Sequence, residues 1–278
     1  MKKRFLLAVL VLAIGLSLTA CWPGEVGITT VFEKDGSGTR TIVLDVMDDS
    51  LSDVPIINPD DPDEDEGKGP VLNDVQITGG VEAIQPWLED NAPDFITVEN
   101  MTTEGYHRYF TMTYSWDDFD EFLTQYETLV DLATDVSWAD FTAAERPTFT
   151  SEGLYSKTVT FTESKAVVEA SLLWALEGIW NDIYDEAGLS GFVTINDISV
   201  LAGYTVTIGE ETFEELGAYD AEAEEGNDAG DTGMMVYVES TEFTLAESFS
   251  NIGMIIGTVV VAVAAIAGVA FVVLRAKK

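Results

Sequence analysis

Val26-Gly27-Ile28-Thr29-Thr30-Val31-Phe32-Glu33-Lys34-Asp35-Gly36-Ser37-Gly38-Thr39-Arg40-Thr41-Ile42-Val43-Leu44-Asp45-Val46 reads as two strands around a turn. Val26 to Phe32 and Arg40 to Val46 are rich in β-branched residues, which pack well on a pleated surface. Asp35-Gly36-Ser37-Gly38 between them supplies residues that accept tight-turn backbone, so the stretch predicts a β-hairpin.

Outward from this hairpin, helical and strand periods alternate without a βαβ rhythm. Gly79-Gly80 opens a short helix through Trp87 and Leu88 that stops before Pro93. Strands follow at Phe95 to Glu99 and at Tyr106 to Trp116, the second placing Tyr106, Arg108, Phe110, Met112 and Tyr114 on one face. Asp117 or Asp118 caps a helix whose stripe is Phe119, Phe122, Leu123, Tyr126, Leu129, Val130 and Ala133. Phe149 and Leu154 to Thr162 read as another hairpin, and a longer helix runs from about Ala166 to Glu186. Strands near Phe192 to Ile195, Gly203 to Ile208 and Met235 to Phe243 complete the pattern. The expected fold class is α+β: a mixed sheet and hairpins, two or three packing helices, and one C-terminal transmembrane helix.

That last helix comes from Ile252 to Leu274, 23 residues without a charge. At 1.5 Å per residue they would reach about 34 Å, against a hydrocarbon core of about 30 Å. Arg275, Lys277 and Lys278 follow, so the positive-inside rule puts residues 275–278 in the cytoplasm. Gly253 and Gly257 form a GxxxG step, a candidate helix–helix interface, though glycine is also ordinary filler in such helices. No LPxTG-like motif precedes the run, which argues against a wall-sorting signal. At the other end, Lys2, Lys3 and Arg4 precede the apolar stretch Phe5 to Leu16, the build of an export signal over residues 1–20. Leu18-Thr19-Ala20-Cys21 resembles the bacterial lipobox, which implies a diacylglyceryl group on Cys21. An ordinary cleaved signal and an uncleaved anchor are the alternatives. Cys21 is the only cysteine, so no intramolecular disulfide can form. The expected organisation is therefore a signal at 1–20, an extracytoplasmic domain at 21–251, a span at 252–274 and a tail at 275–278, with the protein on the cell membrane.

All 50 acidic residues lie between Cys21 and Ile252, against seven basic ones, a formal charge of −43 for that part. Such a field repels nucleic acid and attracts metal ions and cationic partners, so nucleic-acid binding is excluded. Two stretches concentrate the charge, 53–70 and 209–231, and both read as solvated acidic loops. Asp61, Asp63 and Asp65 have the opening spacing of an EF-hand. Glu66 then stands where glycine is needed and Leu72 where the bidentate glutamate belongs, so that reading fails. Loose divalent-cation binding to either run stays open, but no metal ligand set is assigned.

The hairpin pattern V-x-I-x-x-x-F-x-x-D-G-S-G-T over Val26 to Thr39, together with Tyr114-Ser115-Trp116, Phe119 and Phe122 in the segment from Tyr106, resembles the LppM family. The resemblance implies a bacterial envelope lipoprotein with a C-terminal membrane helix and a β-rich α+β domain similar to lipid-handling folds. It brings no catalytic residue and no cofactor. The acidic insertion at 53–70 and the extreme charge depart from the family and speak against an anionic glycolipid ligand.

Chemistry is sparse elsewhere. His107 is the only histidine, placed on a strand opposite the apolar face and expected to be exposed. No G-x-S-x-G elbow and no Gly-rich phosphate loop accompany it, so no catalytic residue is assigned and the chain is expected not to be an enzyme. Trp87, Trp116, Trp174 and Trp180 suit either plain core or an apolar pocket between sheet and long helix. Two functions fit: a membrane-tethered envelope domain binding a lipid or other apolar ligand, and an interaction or sensing module recruiting a basic envelope protein through its acidic face and membrane helix.

Overall fold

The computed structural model describes residues 24–48, 77–105, 107–183, 201–220 and 234–261. The opening hairpin forms as read, slightly longer at each end: β1 is Gly24–Phe32 and β2 is Gly38–Met47. Asp35 Oδ1 accepts from the Ser37 amide and hydroxyl at 3.1 and 2.7 Å, which closes the turn. Strands β3 (Thr97–Val98), β4 (Thr102–Glu104) and β5 (His107–Trp116) add to one side of the hairpin. On the other side come β8 (Leu201–Ile208) and β9 (Glu211–Leu216). The result is a seven-stranded sheet in the order β3-β5-β2-β1-β8-β9, with β4 also on β5 and only the β1–β8 pair parallel.

A second, antiparallel sheet joins β6 (Thr148–Glu152), β7 (Ser156–Ser164) and β12 (Glu242–Ser250) in the order β12-β7-β6. The core lies between the two sheets and the helices. Phe32 marks its centre: its ring sits 4.6–6.3 Å from those of Trp116, Phe119, Phe122, Phe149 and Phe161, which come from both sheets and from the helix Phe119–Asp131. Trp116 also donates from Nε1 to the Gly36 carbonyl at 2.8 Å, tying β5 to the first turn.

A single 3₁₀ turn, Val81–Ala83, leads into α1 (Ile84–Asn91). Helix α2 (Phe119–Asp131) is capped by Asp118, whose carboxylate accepts from the Glu121 amide at 2.9 Å, and it buries Phe122, Tyr126, Leu129 and Val130. The expected long helix is broken in two, α3 (Lys165–Ala170) and α4 (Leu173–Ile183). Ser171 sits at the break and donates its hydroxyl to the Val168 carbonyl at 2.7 Å, a local bond that competes with the helical ladder. Trp87 of α1 packs against Gly178 of α4, where a Cβ would come within 2.3 Å of the indole Cζ2, so glycine permits this approach.

Three expectations change. Residues 209–231 do not begin as a solvated loop: β9 and β10 (Ala218–Asp220) occupy 211–220, β10 pairing with β11 (Met234–Val236). Phe213 anchors β9 by facing Tyr204 and Phe243 at 6.2 and 5.9 Å, while Glu211 and Glu214 are exposed. The strand expected over Met235 to Phe243 is two strands, β11 and β12. The C-terminal transmembrane helix of the expected fold class is also corrected: among the described residues no helix is long and apolar enough to cross a membrane. The described helical residues there, 252–261, reach about 15 Å, half of what a bilayer core needs. They bring the described α-helices to five, against two or three packing helices and one membrane helix expected. The stretches 53–70, 192–195 and 262–278 lie outside the described residues.

Candidate functional site

Strand β2 puts a charge on each face of the large sheet. Its inward residues are Arg40, Ile42, Leu44 and Val46, and Arg40 is completely buried among them. The second sheet contributes in the same way: Glu163 stands on β7 in phase with the buried Val159 and Phe161, and is completely buried too. Arg40 Nη2 donates to Glu163 Oε1 at 2.5 Å, and Arg40 Nε donates to Thr30 Oγ1 at 2.8 Å. Tyr204 donates its hydroxyl to the same Glu163 oxygen. The guanidinium lies over the rings of Phe122 and Tyr126 of α2, at 5.1 and 5.2 Å.

Burial, the largest single influence, would lower the Arg40 pKa, but the Glu163 carboxylate together with Tyr114, Tyr126 and Tyr204 outweighs it and holds the guanidinium charged. Burial, reinforced by Glu163, pushes Tyr114 up to about 12 and Tyr126 and Tyr204 well above the ordinary phenol value. These phenols stay neutral. Arg40 Nη1, Glu163 Oε2 and the hydroxyls of Tyr114 and Tyr126 make no hydrogen bond of good geometry among the described residues. The centre is an ion pair that pins one sheet to the other, and its guanidinium and phenols keep their protons near neutral pH.

On the opposite face of the same sheet, at one end, Glu25 of β1, Asp45 of β2 and His107 of β5 gather. All three are buried, at 4%, 8% and 8% exposure. His107 Nδ1 is 2.8 Å from Asp45 Oδ1, and the imidazole stacks on Tyr109 with centroids 6.1 Å apart. Glu25 Oε2 and Asp45 Oδ2 have no hydrogen-bond partner among the described residues. Burial, then the neighbouring Asp45 charge, raises Glu25 to about 7, with His107 pulling the other way. The Asp45 hydrogen bond raises His107, against the effect of burial. This cluster therefore places a titrating carboxyl, Glu25, near neutral pH, unlike the Arg40 guanidinium and its phenols.

His107 is thus on the expected face, but it is buried and partnered instead of exposed. Its partner is set by the β2–β5 register, which no local pattern reveals. Cys21 lies outside the described residues. Gly253 and Gly257 lie in the exposed helical residues 252–261, and a Cβ on Gly257 would meet nothing within 4 Å. Trp116, Trp138 and Trp174 are core residues, and Trp87 is half-buried, stacked on Trp174 and donating from Nε1 to Asp182 Oδ2 at 2.9 Å. Among the described residues, no group of three or more His, Cys, Asp and Glu side chains is arranged to hold a metal ion.

No protein-family model and no curated protein matches the chain. Among solved structures, the NMR structure of the LppM folded domain from Mycobacterium tuberculosis aligns with 84% of this chain and 93% of its own length at 10% identity. The TM-score is 0.26, a weak resemblance that carries no argument about fold or function.

Proposed function

We propose that the chain is a non-enzymatic interaction module of the cell envelope, held at a membrane by a lipid on Cys21, that recruits a basic partner protein. The observation that carries this reading is the edge of the large sheet. Strand β9 ends the sheet, and Glu210, Glu211 and Glu214 are exposed along it in a run from 209 to 231 that contains no basic residue. Glu247 accepts from the Glu210 and Glu211 amides, both at 2.9 Å, and Glu215 accepts from the Glu239 and Ser240 amides at 2.9 and 3.0 Å. The carboxylates that are not exposed thus brace the backbone, leaving the outer ones to a partner. A cationic surface brought to this edge gains attraction that steers encounter and is weakened by salt. A non-enzymatic role accords with His107, whose Nδ1 is committed to Asp45.

The other reading, an apolar or lipid ligand held between sheet and helices, has less support. The aromatic residues that would line such a pocket pack on one another around Phe32, and Trp87 fills the approach to α4. The test is crosslinking in cells. A basic protein should be recovered with the wild-type chain, lost at high salt and lost with Glu211→Lys, Glu214→Lys. Recovery of the monomer alone, or of a partner indifferent to those substitutions, would overturn the proposal.

A further inference from the structure

The turn joining β6 to β7 breaks the usual rule for hairpin tips. Such tips favour Gly, Asn, Asp, Ser and Pro, yet this one presents Leu154 and Tyr155, 57% and 49% exposed. Gly153 fixes the turn at φ 106°, where a Cβ would collide with the Ser156 carbonyl oxygen, so the two side chains are held at the end of the sheet. Strand β12 ends beside them and runs on into the helical residues 252–261. Asn251 ties the two together: its amide donates to the Tyr155 carbonyl at 2.8 Å and its Nδ2 to the Leu154 carbonyl at 3.0 Å. Its Oδ1 also caps the helix by accepting from the Met254 amide at 3.3 Å, and Thr258 donates to the Tyr155 hydroxyl at 3.2 Å. The tip is thus bonded alongside the first two turns of the helix.

We infer that Leu154 and Tyr155 form a lipid-contacting site that seats this end of the domain on a bilayer surface. A protein groove would ask for one apolar stripe. Here Ile252, Met254, Ile255, Ile256, Val259, Val260 and Val261 are all exposed, which makes the helix apolar all round. The sequence then continues uncharged to Leu274 and ends in Arg275, Lys277 and Lys278, cations suited to anionic headgroups. Tyr155 fits the boundary, with an apolar ring and a polar tip.

The site rests on the membrane-held reading, and the experiment separates the two. In a full-length Cys21→Ser background, Leu154→Cys and, on the exposed face of α2, Glu127→Cys are each labelled with a polarity-sensitive fluorophore and mixed with phosphatidylcholine vesicles containing doxyl-labelled lipid. The label at 154 should shift to the blue and be quenched, and the label at 127 should not. Leu154→Asp, Tyr155→Asp should lower the fraction that floats with vesicles. If the wild-type chain floats while the label at 154 is unquenched, the tip site is wrong and the membrane reading stands. A blue shift without quenching means contact with a second copy and equally overturns the site. If the wild-type chain does not float, both readings fail.

Discussion

Strand β2 carries Arg40 on one face and Asp45 on the other, and the two buried clusters built on them are opposite in design. The Arg40 centre is balanced: one cation meets one carboxylate, and the phenols around them stay neutral. The Asp45 cluster is unbalanced, with two carboxylates and one imidazole in a buried corner. A balanced pair joins two sheets with no net charge left buried. An unbalanced one stores electrostatic strain that protons relieve. The same strand therefore contributes a structural rivet on one face and a titrating group on the other.

Breaking the balance of the rivet gives the largest expected effect. Arg40→Met leaves Glu163 buried without its cation, and Glu163→Gln leaves Arg40 charged against a neutral amide. Removing one partner of a buried pair costs about 3–5 kcal/mol. The double change Arg40→Met, Glu163→Leu should recover most of that loss, because no buried charge is left. Urea denaturation of the three variants measures it. If the double variant is as unstable as the singles, the pair does more than hold charge.

The second effect belongs to Glu25. Its pKa is raised from 4.5 to about 7 in the folded state, so the native protein binds more protons than the unfolded chain between those values. Stability from this group is present below about 4.5 and is lost as pH rises through about 7. At 1.36 kcal/mol per unit the upper bound is about 3 kcal/mol. Glu25→Gln should then stabilise the domain at pH 8, leave it little changed at pH 4.5, and flatten the slope between. Denaturation midpoints across that range check the sign. Lower stability of the variant at pH 8 would remove the strain from the comparison.

Local signals made much of this legible. The β1–β2 hairpin, the Asp118 cap and the α2 stripe follow from turn chemistry and period, which need only neighbouring residues. Arg40 and Glu163 each stand in the apolar phase of a strand, which was a readable sign of burial, but their pairing across 123 positions depends on how the sheets pack. Strand β9 was hidden because carboxylates outnumber its apolar residues and a single Phe213 anchors it. The parallel β1–β8 pair joins residues far apart in sequence and has no local signature. The face of His107 was legible; its burial was not, since its partner Asp45 stands opposite Tyr109 and reaches it diagonally through the register. The broken long helix turned on one hydroxyl, at Ser171.

The smallest effect tests how Asp45 divides its charge. Its hydrogen bond is the main reason the His107 pKa is raised, and its repulsion is the second reason that of Glu25 is raised. Asp45→Asn should therefore lower both pKa values. For stability the two consequences oppose each other: the imidazolium loses its partner, whereas Glu25 loses a like charge. The His107 pair favours folding below about pH 6.5, and that contribution fades as pH rises through the raised folded value. The variant should lose stability chiefly on the acid side, with little net change at pH 8. His107 is the only histidine, so a single imidazole resonance reports its titration directly by NMR. A downward shift in Asp45→Asn, together with a smaller upward effect on stability at pH 8 than Glu25→Gln gives, places Asp45 as the shared carboxylate of an overcharged corner. An unmoved imidazole pKa would mean that His107 takes its charge from elsewhere, and the contrast with the Arg40 centre would rest on Glu25 alone.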